Sequence, residues 1–112
     1  MKYIIAGGRN YKLVATDFDT LDQITPGITE VVSGHNPTGA DRAGELWATS
    51  RGVPVKLFPA NWGQYRRAAG PIRNKQMAAY ADAAVLFPGD KGTASMEHEA
   101  RMAGIPILKI HG

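Results

Sequence analysis

Five short apolar runs recur along this chain, most of them followed by a segment with the period of a helix, and that alternation leaves few folds open. The runs cover residues 3–6, Glu30–Ser33, 54–58, 83–87 and 106–110. Between them, Thr16 with Asp19 resembles a capping pair for a helix reaching about residue 24. Residues 41–51 place Ala43, Leu46, Trp47 and Ser50 on one amphipathic face. Gly70-Pro71 opens a third helix with proline at its first position, and Asn74, Met77, Ala78 and Ala81 trace its inner stripe. A fourth runs from Thr93, turns Met96, Ala100 and Ala103 inward, and stops at Gly104 ahead of Pro106. Strand alternating with helix implies an α/β domain: about five parallel strands with helices on both faces.

At 112 residues the chain is expected to form one domain over 1–112. No stretch reaches the roughly 18 apolar residues of a membrane span. The N-terminal run Tyr3-Ile4-Ile5-Ala6 is too short for a signal peptide and reads as a strand. With no cysteine there is no disulfide, thiolate nucleophile or cysteine zinc site, and a cytoplasmic setting is expected. The histidines His35, His98 and His111 lack metal-ligand spacing, so neither metal nor cofactor is expected. His98 falls on the outer side of the last helix, while His35 sits in a turn where it could touch a ligand. The net charge of +3 is modest. Arg66, Arg67, Arg73 and Lys75 gather in one segment, and Arg9 and Lys91 flank glycine turns. That is too sparse a stripe for a nucleic-acid binder and suits a small anionic ligand better.

In a parallel sheet every loop leaving a strand emerges on one edge, and ligands bind there. The loops here are Gly7-Gly8-Arg9-Asn10, then Ser33-Gly34 leading to Gly39-Ala40-Asp41, then Pro59-Ala60-Asn61-Trp62, and Pro88-Gly89-Asp90-Lys91-Gly92-Thr93. A glycine-rich strand-to-helix turn offers backbone N–H groups at the positive end of a helix, which suits phosphate. Gly92 and Thr93 would supply amides and a hydroxyl, helped by Pro88, Gly89 and Lys91 in the same turn. Arg73, beside Asn74, offers a planar fork for phosphate or carboxylate. Ser33 and Gly34 would hold a second phosphate or a ribose hydroxyl, with Gly7, Gly8 and Arg9 alongside. Gly39 shapes the second turn. Asp41 either accepts from a ribose or serves as an N-cap. Trp62, after Asn61, either stacks on a base or packs.

As a set, Ile5-Ala6-Gly7-Gly8-Arg9, Val32-Ser33-Gly34, Gly39-Ala40-Asp41-Arg42, Phe58-Pro59-Ala60-Asn61-Trp62, Ala69-Gly70-Pro71-Ile72-Arg73-Asn74 and Gly92-Thr93 resemble the SLOG superfamily, named for its DprA/Smf and LOG members. Within it they resemble the small YspA- and YpsA-related branch, over nearly the whole chain. The resemblance implies a Rossmann-like fold that binds nucleotides or nucleotide-derived small molecules. Small stand-alone members are often carried by bacteriophages and are expected to form a homodimer or larger assembly; for a phage protein the resemblance implies the host cytoplasm.

The departures from the enzymatic LOG relatives bear on function. Those phosphoribohydrolases carry Arg-x-x-x-Met, matched by Arg73 to Met77, and Pro-Gly-Gly-x-Gly-Thr-x-x-Glu. In the second motif Asp90 replaces a glycine, and the glutamate position falls on Met96. A thioether cannot carry charge or a proton toward an oxocarbenium-like transition state. The catalytic candidates are therefore Arg73 with either Asp90, whose carboxylate would repel phosphate, or Glu97, which is spaced to pair with Arg101. His35-Asn36-Pro37-Thr38 also replaces a shorter small-residue stretch, which points to altered ligand specificity. The leading expectation is a non-catalytic module that senses or sequesters an ADP-ribose-like or cyclic nucleotide signal, if phage-encoded in anti-defence. A nucleoside-monophosphate phosphoribohydrolase is the alternative. Single-stranded DNA binding, as in DprA, is a minor one that the modest charge argues against.

Overall fold

The computed structural model describes residues 1–12, 14–24, 27–35 and 39–110. His111 and the Asn36-Pro37-Thr38 stretch lie outside them. The elements follow in the order β1 (Lys2–Ala6), α1 (Ala15–Ile24), β2 (Glu30–Ser33), α2 (Gly39–Ser50), β3 (Val55–Leu57), α3 (Trp62–Tyr65), a 3₁₀ turn (Arg66–Ala68), α4 (Ala69–Tyr80), β4 (Ala83–Leu86), α5 (Lys91–Ala103) and β5 (Ile107–Lys109). All strand pairs are parallel and the sheet order is β3-β2-β1-β4-β5. This is a Rossmann-like sheet whose order reverses between β1 and β4, where a crevice opens at the carboxyl ends.

Burial explains why the apolar runs were so continuous. Strands covered on both faces need no polar alternation, and β4 is buried at each of its four residues. Ile5, Val31 and Val85 pack with Leu21 of α1 and Trp47 of α2 on one face. Ile4, Val32 and Ala84 pack with Met77 of α4 and Met96 of α5 on the other. The outer strands β3 and β5 are only three residues long and largely exposed. No helix among the described residues is long and apolar enough to cross a membrane.

Four local expectations are corrected. First, α1 begins at Ala15, so Thr16 lies inside it. Its N-terminus is held by Asp17, whose carboxylate accepts from the Val14 N–H at 3.0 Å and from the Tyr11 hydroxyl at 3.1 Å. Second, α2 turns Ala40, Asp41, Gly44, Glu45, Trp47 and Ala48 inward, while Leu46 and Ser50 face out. Gly44 allows that rotation: a Cβ there would sit 2.8 Å from Ile5 Cγ2. Third, Pro71 is the third residue of α4. It is tolerated because first-turn N–H groups have no intrahelical acceptor to lose. Fourth, α5 buries Met96 and Ala100 but leaves Ala103 exposed. Its stop is as expected: Gly104, at φ 73°, donates its N–H to the carbonyls of Ala100 and Arg101.

The pair α1–α2 is clipped by Asp22. Its carboxylate accepts from Trp47 Nε1 at 3.0 Å and from Arg51 Nε and Nη2 at 2.8 and 2.6 Å. The hydrogen bonds from Arg51, helped by that from Trp47, hold the Asp22 carboxyl below the usual carboxylate range although partial desolvation pushes it the other way.

Candidate nucleotide-binding cleft

At the reversal between β1 and β4 lies a cavity of about 400 Å³. Its walls come from loops far apart in sequence: Gly7 and Arg9 after β1, Gly34 after β2, Trp62 of α3, Arg73 and Asn74 in α4, and Gly92 and Thr93 in α5. A second cavity of about 450 Å³ adjoins it, sharing Arg9, Gly34, Trp62 and Arg73, and extends to His35 and Pro59. Each falls in the range of a small-molecule site.

Arg73 stands at the boundary of the two chambers. Its Nη1 donates to the Gly34 carbonyl at 2.8 Å and its Nε to Asn74 Oδ1 at 2.9 Å. Asn74, buried, donates in turn to Ser95 Oγ at 3.1 Å, so α4, α5 and the turn after β2 are locked together. Gly34 is required for this contact, because a Cβ there would lie 2.5 Å from Arg73 Nη1. Burial pushes the Arg73 guanidinium below its usual range, and the Asp41 carboxylate partly offsets that. A half-buried cation whose hydrogen bonds go to neutral oxygens gains from an incoming anion.

The opposite wall is the first turn of α5. Asp90 is its N-cap, accepting the Gly92 N–H at 3.4 Å. That bond is long enough to be exchanged for a ligand oxygen. Thr93 Oγ1 is buried and, among the described residues, is the buried side-chain polar atom left without a partner. An orphaned hydroxyl in the first turn of a helix that lines the chamber is chemically suited to a phosphoryl oxygen.

A prediction of opposite signs follows from it. Thr93→Val should leave the melting temperature unchanged or raise it, since an unsatisfied buried hydroxyl costs about 1 kcal/mol or more. The same variant should bind AMP about tenfold more weakly in calorimetric titration, the worth of one charge-assisted hydrogen bond. Loss of stability without loss of affinity would make the hydroxyl structural.

Of the residues singled out from sequence, Gly7, Arg9, Gly34, Asp41, Trp62, Arg73, Asn74, Asp90, Lys91, Gly92 and Thr93 line the first chamber. Others lie behind it. Ser33 is fully buried and its hydroxyl donates to Glu45 Oε2 at 2.8 Å. Gly8 donates its N–H to the Pro88 carbonyl at 2.9 Å, fastening the loops after β1 and β4. Gly39 opens α2 at φ 74°. Asn61 caps α3 through the Gln64 N–H. Pro88, Gly89 and Glu97 line an adjoining depression against β5, which shares Asp90 and Thr93 with the first chamber. There Glu97 pairs with Arg101 at 2.6 Å and Lys109 at 3.3 Å. His98 is exposed.

Arg67 and Ser95 also line the first chamber, as do Pro71 and Met96. Arg67 was legible only as part of a basic segment, and Ser95 falls on an unspecified position of the Pro88-to-Met96 motif. Glu45 was hidden altogether, because a glutamate on an amphipathic helix ordinarily faces water.

The half of the cleft built from β1, β2 and the α2 N-terminus is the half that known sequences recognise. The model of the family described as YspA, cpYpsA-related SLOG (YAcAr) matches residues 1–65. The chain belongs to that family. The match ends before Arg73 and the α5 turn, so in this SLOG protein the second wall rests on its own residues. No curated protein and no solved structure matches the chain.

Proposed function

We propose that this SLOG protein binds a nucleotide or nucleotide-derived small molecule, ADP-ribose-like or a cyclic nucleotide signal, and holds it without cleaving it, as a sensor or a sequestering protein. The observation that carries this reading is Arg73: a half-buried guanidinium, hydrogen-bonded to the Gly34 carbonyl and Asn74, between two adjoining chambers. Family membership supports the nucleotide part of the reading. Its non-catalytic part is supported by Met96, buried at the position where the enzymatic relatives carry glutamate, and by Glu97, which is tied to Arg101 and Lys109 outside the first chamber.

Asp90 keeps a second reading open, that of a phosphoribohydrolase, because its carboxylate does line the first chamber. Native mass spectrometry of freshly purified protein, followed by denaturation and chromatography, separates the two. The expected result is a co-purified nucleotide released intact, and no free base after incubation with a panel of nucleoside monophosphates. Recovery of base and ribose phosphate would establish hydrolysis instead.

A further inference from the structure

The outer chamber contains a side-chain constellation that the cleft described so far does not use. His35 lines it, with Arg9, Pro59, Trp62 and Arg73. The backbone of His35 sits at φ 59°, in the left-handed region that a non-glycine residue occupies only when its surroundings hold it there. The restraints are a closed ring of hydrogen bonds. The His35 N–H donates to Ser33 Oγ at 3.1 Å, and the Ser33 hydroxyl donates to Glu45 Oε2 at 2.8 Å. The Glu45 carboxylate then faces His35 Nδ1, at 3.2 and 3.3 Å from its two oxygens.

The two members of the pair differ sharply in exposure. The Glu45 side chain is 11% exposed and the His35 side chain 50%. A nearly buried carboxylate on Nδ1 fixes the proton on that nitrogen and turns Nε2 toward the chamber. Once protonated, Nε2–H is a cationic donor. Histidine is the side chain whose charge ordinarily changes between about pH 5 and about pH 8.

The other charged groups facing this ring come from three elements. Arg9 follows β1, Arg73 belongs to α4, and Asp41 belongs to α2, the helix that carries Glu45. The segment from Pro59 to Trp62 contributes no titratable side chain. Among the described residues Arg9 has no carboxylate partner within ion-pair distance, and it is exposed. The outer chamber therefore presents two guanidiniums and a carboxylate-backed imidazole. The inner one presents the first turn of α5 at Gly92 and Thr93, with Lys91 and Arg67, alongside the Asp41 and Asp90 carboxylates. Two anion-attracting subsites on either side of Arg73 match a ligand with two linked phosphoryl groups better than a mononucleotide.

Resting on the nucleotide reading above, we propose that His35, backed by Glu45, forms with Arg9 a second anion subsite. It takes one phosphoryl group of a pyrophosphate-bridged ligand and binds it more tightly when the imidazole is protonated. ADP-ribose is the apt probe, because its pyrophosphate diester keeps the same charge across the histidine range. Calorimetric titration of ADP-ribose should give an affinity about tenfold higher at about pH 5.5 than at about pH 8.

His35→Asn should abolish that difference while keeping the fold, because asparagine accepts the left-handed conformation. Glu45→Gln should reduce it. AMP, which has a single phosphoryl group, should lose less affinity in His35→Asn than ADP-ribose does. In the wild type, adding ADP-ribose should shift the NMR resonances of the His35 ring. ADP-ribose binding without pH dependence, or with a pH dependence that survives in His35→Asn, would overturn the proposal and leave the nucleotide reading intact. Failure of both AMP and ADP-ribose to bind would overturn both.

Discussion

Replacing Arg73 with alanine is expected to weaken nucleotide binding by about a hundredfold, the scale of a bidentate charge-assisted contact in a partly desolvated site. The side chain is oriented before any ligand arrives, through the Gly34 carbonyl and Asn74 Oδ1, so little ordering entropy opposes binding. Arg73→Lys should recover only part of the loss, because an ammonium cannot make the two parallel bonds of a fork. Stability should fall by a smaller step. Arg73→Ala leaves the Gly34 carbonyl and Asn74 Oδ1 without their donor and unties α4 from the turn after β2, so the melting temperature should drop modestly. Calorimetry with AMP and ADP-ribose, set beside thermal melts, checks both halves. A variant that binds within a factor of about two of the wild type would mean that the cleft does not use this cation as its anion anchor.

Gly39→Ala is expected to cost about 3 kcal/mol of stability or more, enough to unfold much of a marginally stable domain. Two penalties combine there. The backbone lies at φ 74°, and a Cβ would sit 2.3 Å from the Gly8 carbonyl oxygen and 2.5 Å from Arg9 Cα. Both are backbone atoms and neither can rotate aside. The displaced elements would be the α2 N-terminus, whose Ala40 N–H donates to the Gly8 carbonyl, and the loop carrying Arg9. Gly52→Ala is the matched control. It has φ 69° with nothing within 4 Å of a built Cβ, so it should lose only about 1 kcal/mol. Urea denaturation of the two variants isolates the steric part. Equal losses would show that the loops after β1 and β2 part without resistance.

The sheet was legible because its strands are buried on both faces and so stand out as apolar runs. The order reversal between β1 and β4 was what turned separate glycine turns into one cleft, and most turn residues singled out from sequence do face it. What escaped was side-chain direction. The sequence pattern places Ala43, Leu46, Trp47 and Ser50 on the inner face of α2; Trp47 is buried, yet the helix rotates Leu46 and Ser50 outward to seat Gly44 on Ile5 and to give Glu45 to Ser33. Hydrophobicity cannot report that choice, because here a buried carboxylate with two hydrogen-bonding neighbours outcompetes an exposed leucine. For the same reason Ser33, a small polar residue at a strand end, looked like a ligand contact while its hydroxyl faces inward. The partnership of His35 with Glu45 spans ten residues and two elements, and only the fold brings them together.

The margins of the sheet carry a consequence for crowding. Each outermost strand is three residues long and includes one lysine, Lys56 at one border and Lys109 at the other. A neighbouring chain that tried to extend the ladder at either border would have to lay its backbone alongside an ammonium and a strand too short to hold it. Ribbon-like stacking of folded copies is thereby discouraged, even though Leu57 and Leu108 are open to solvent in those same strands.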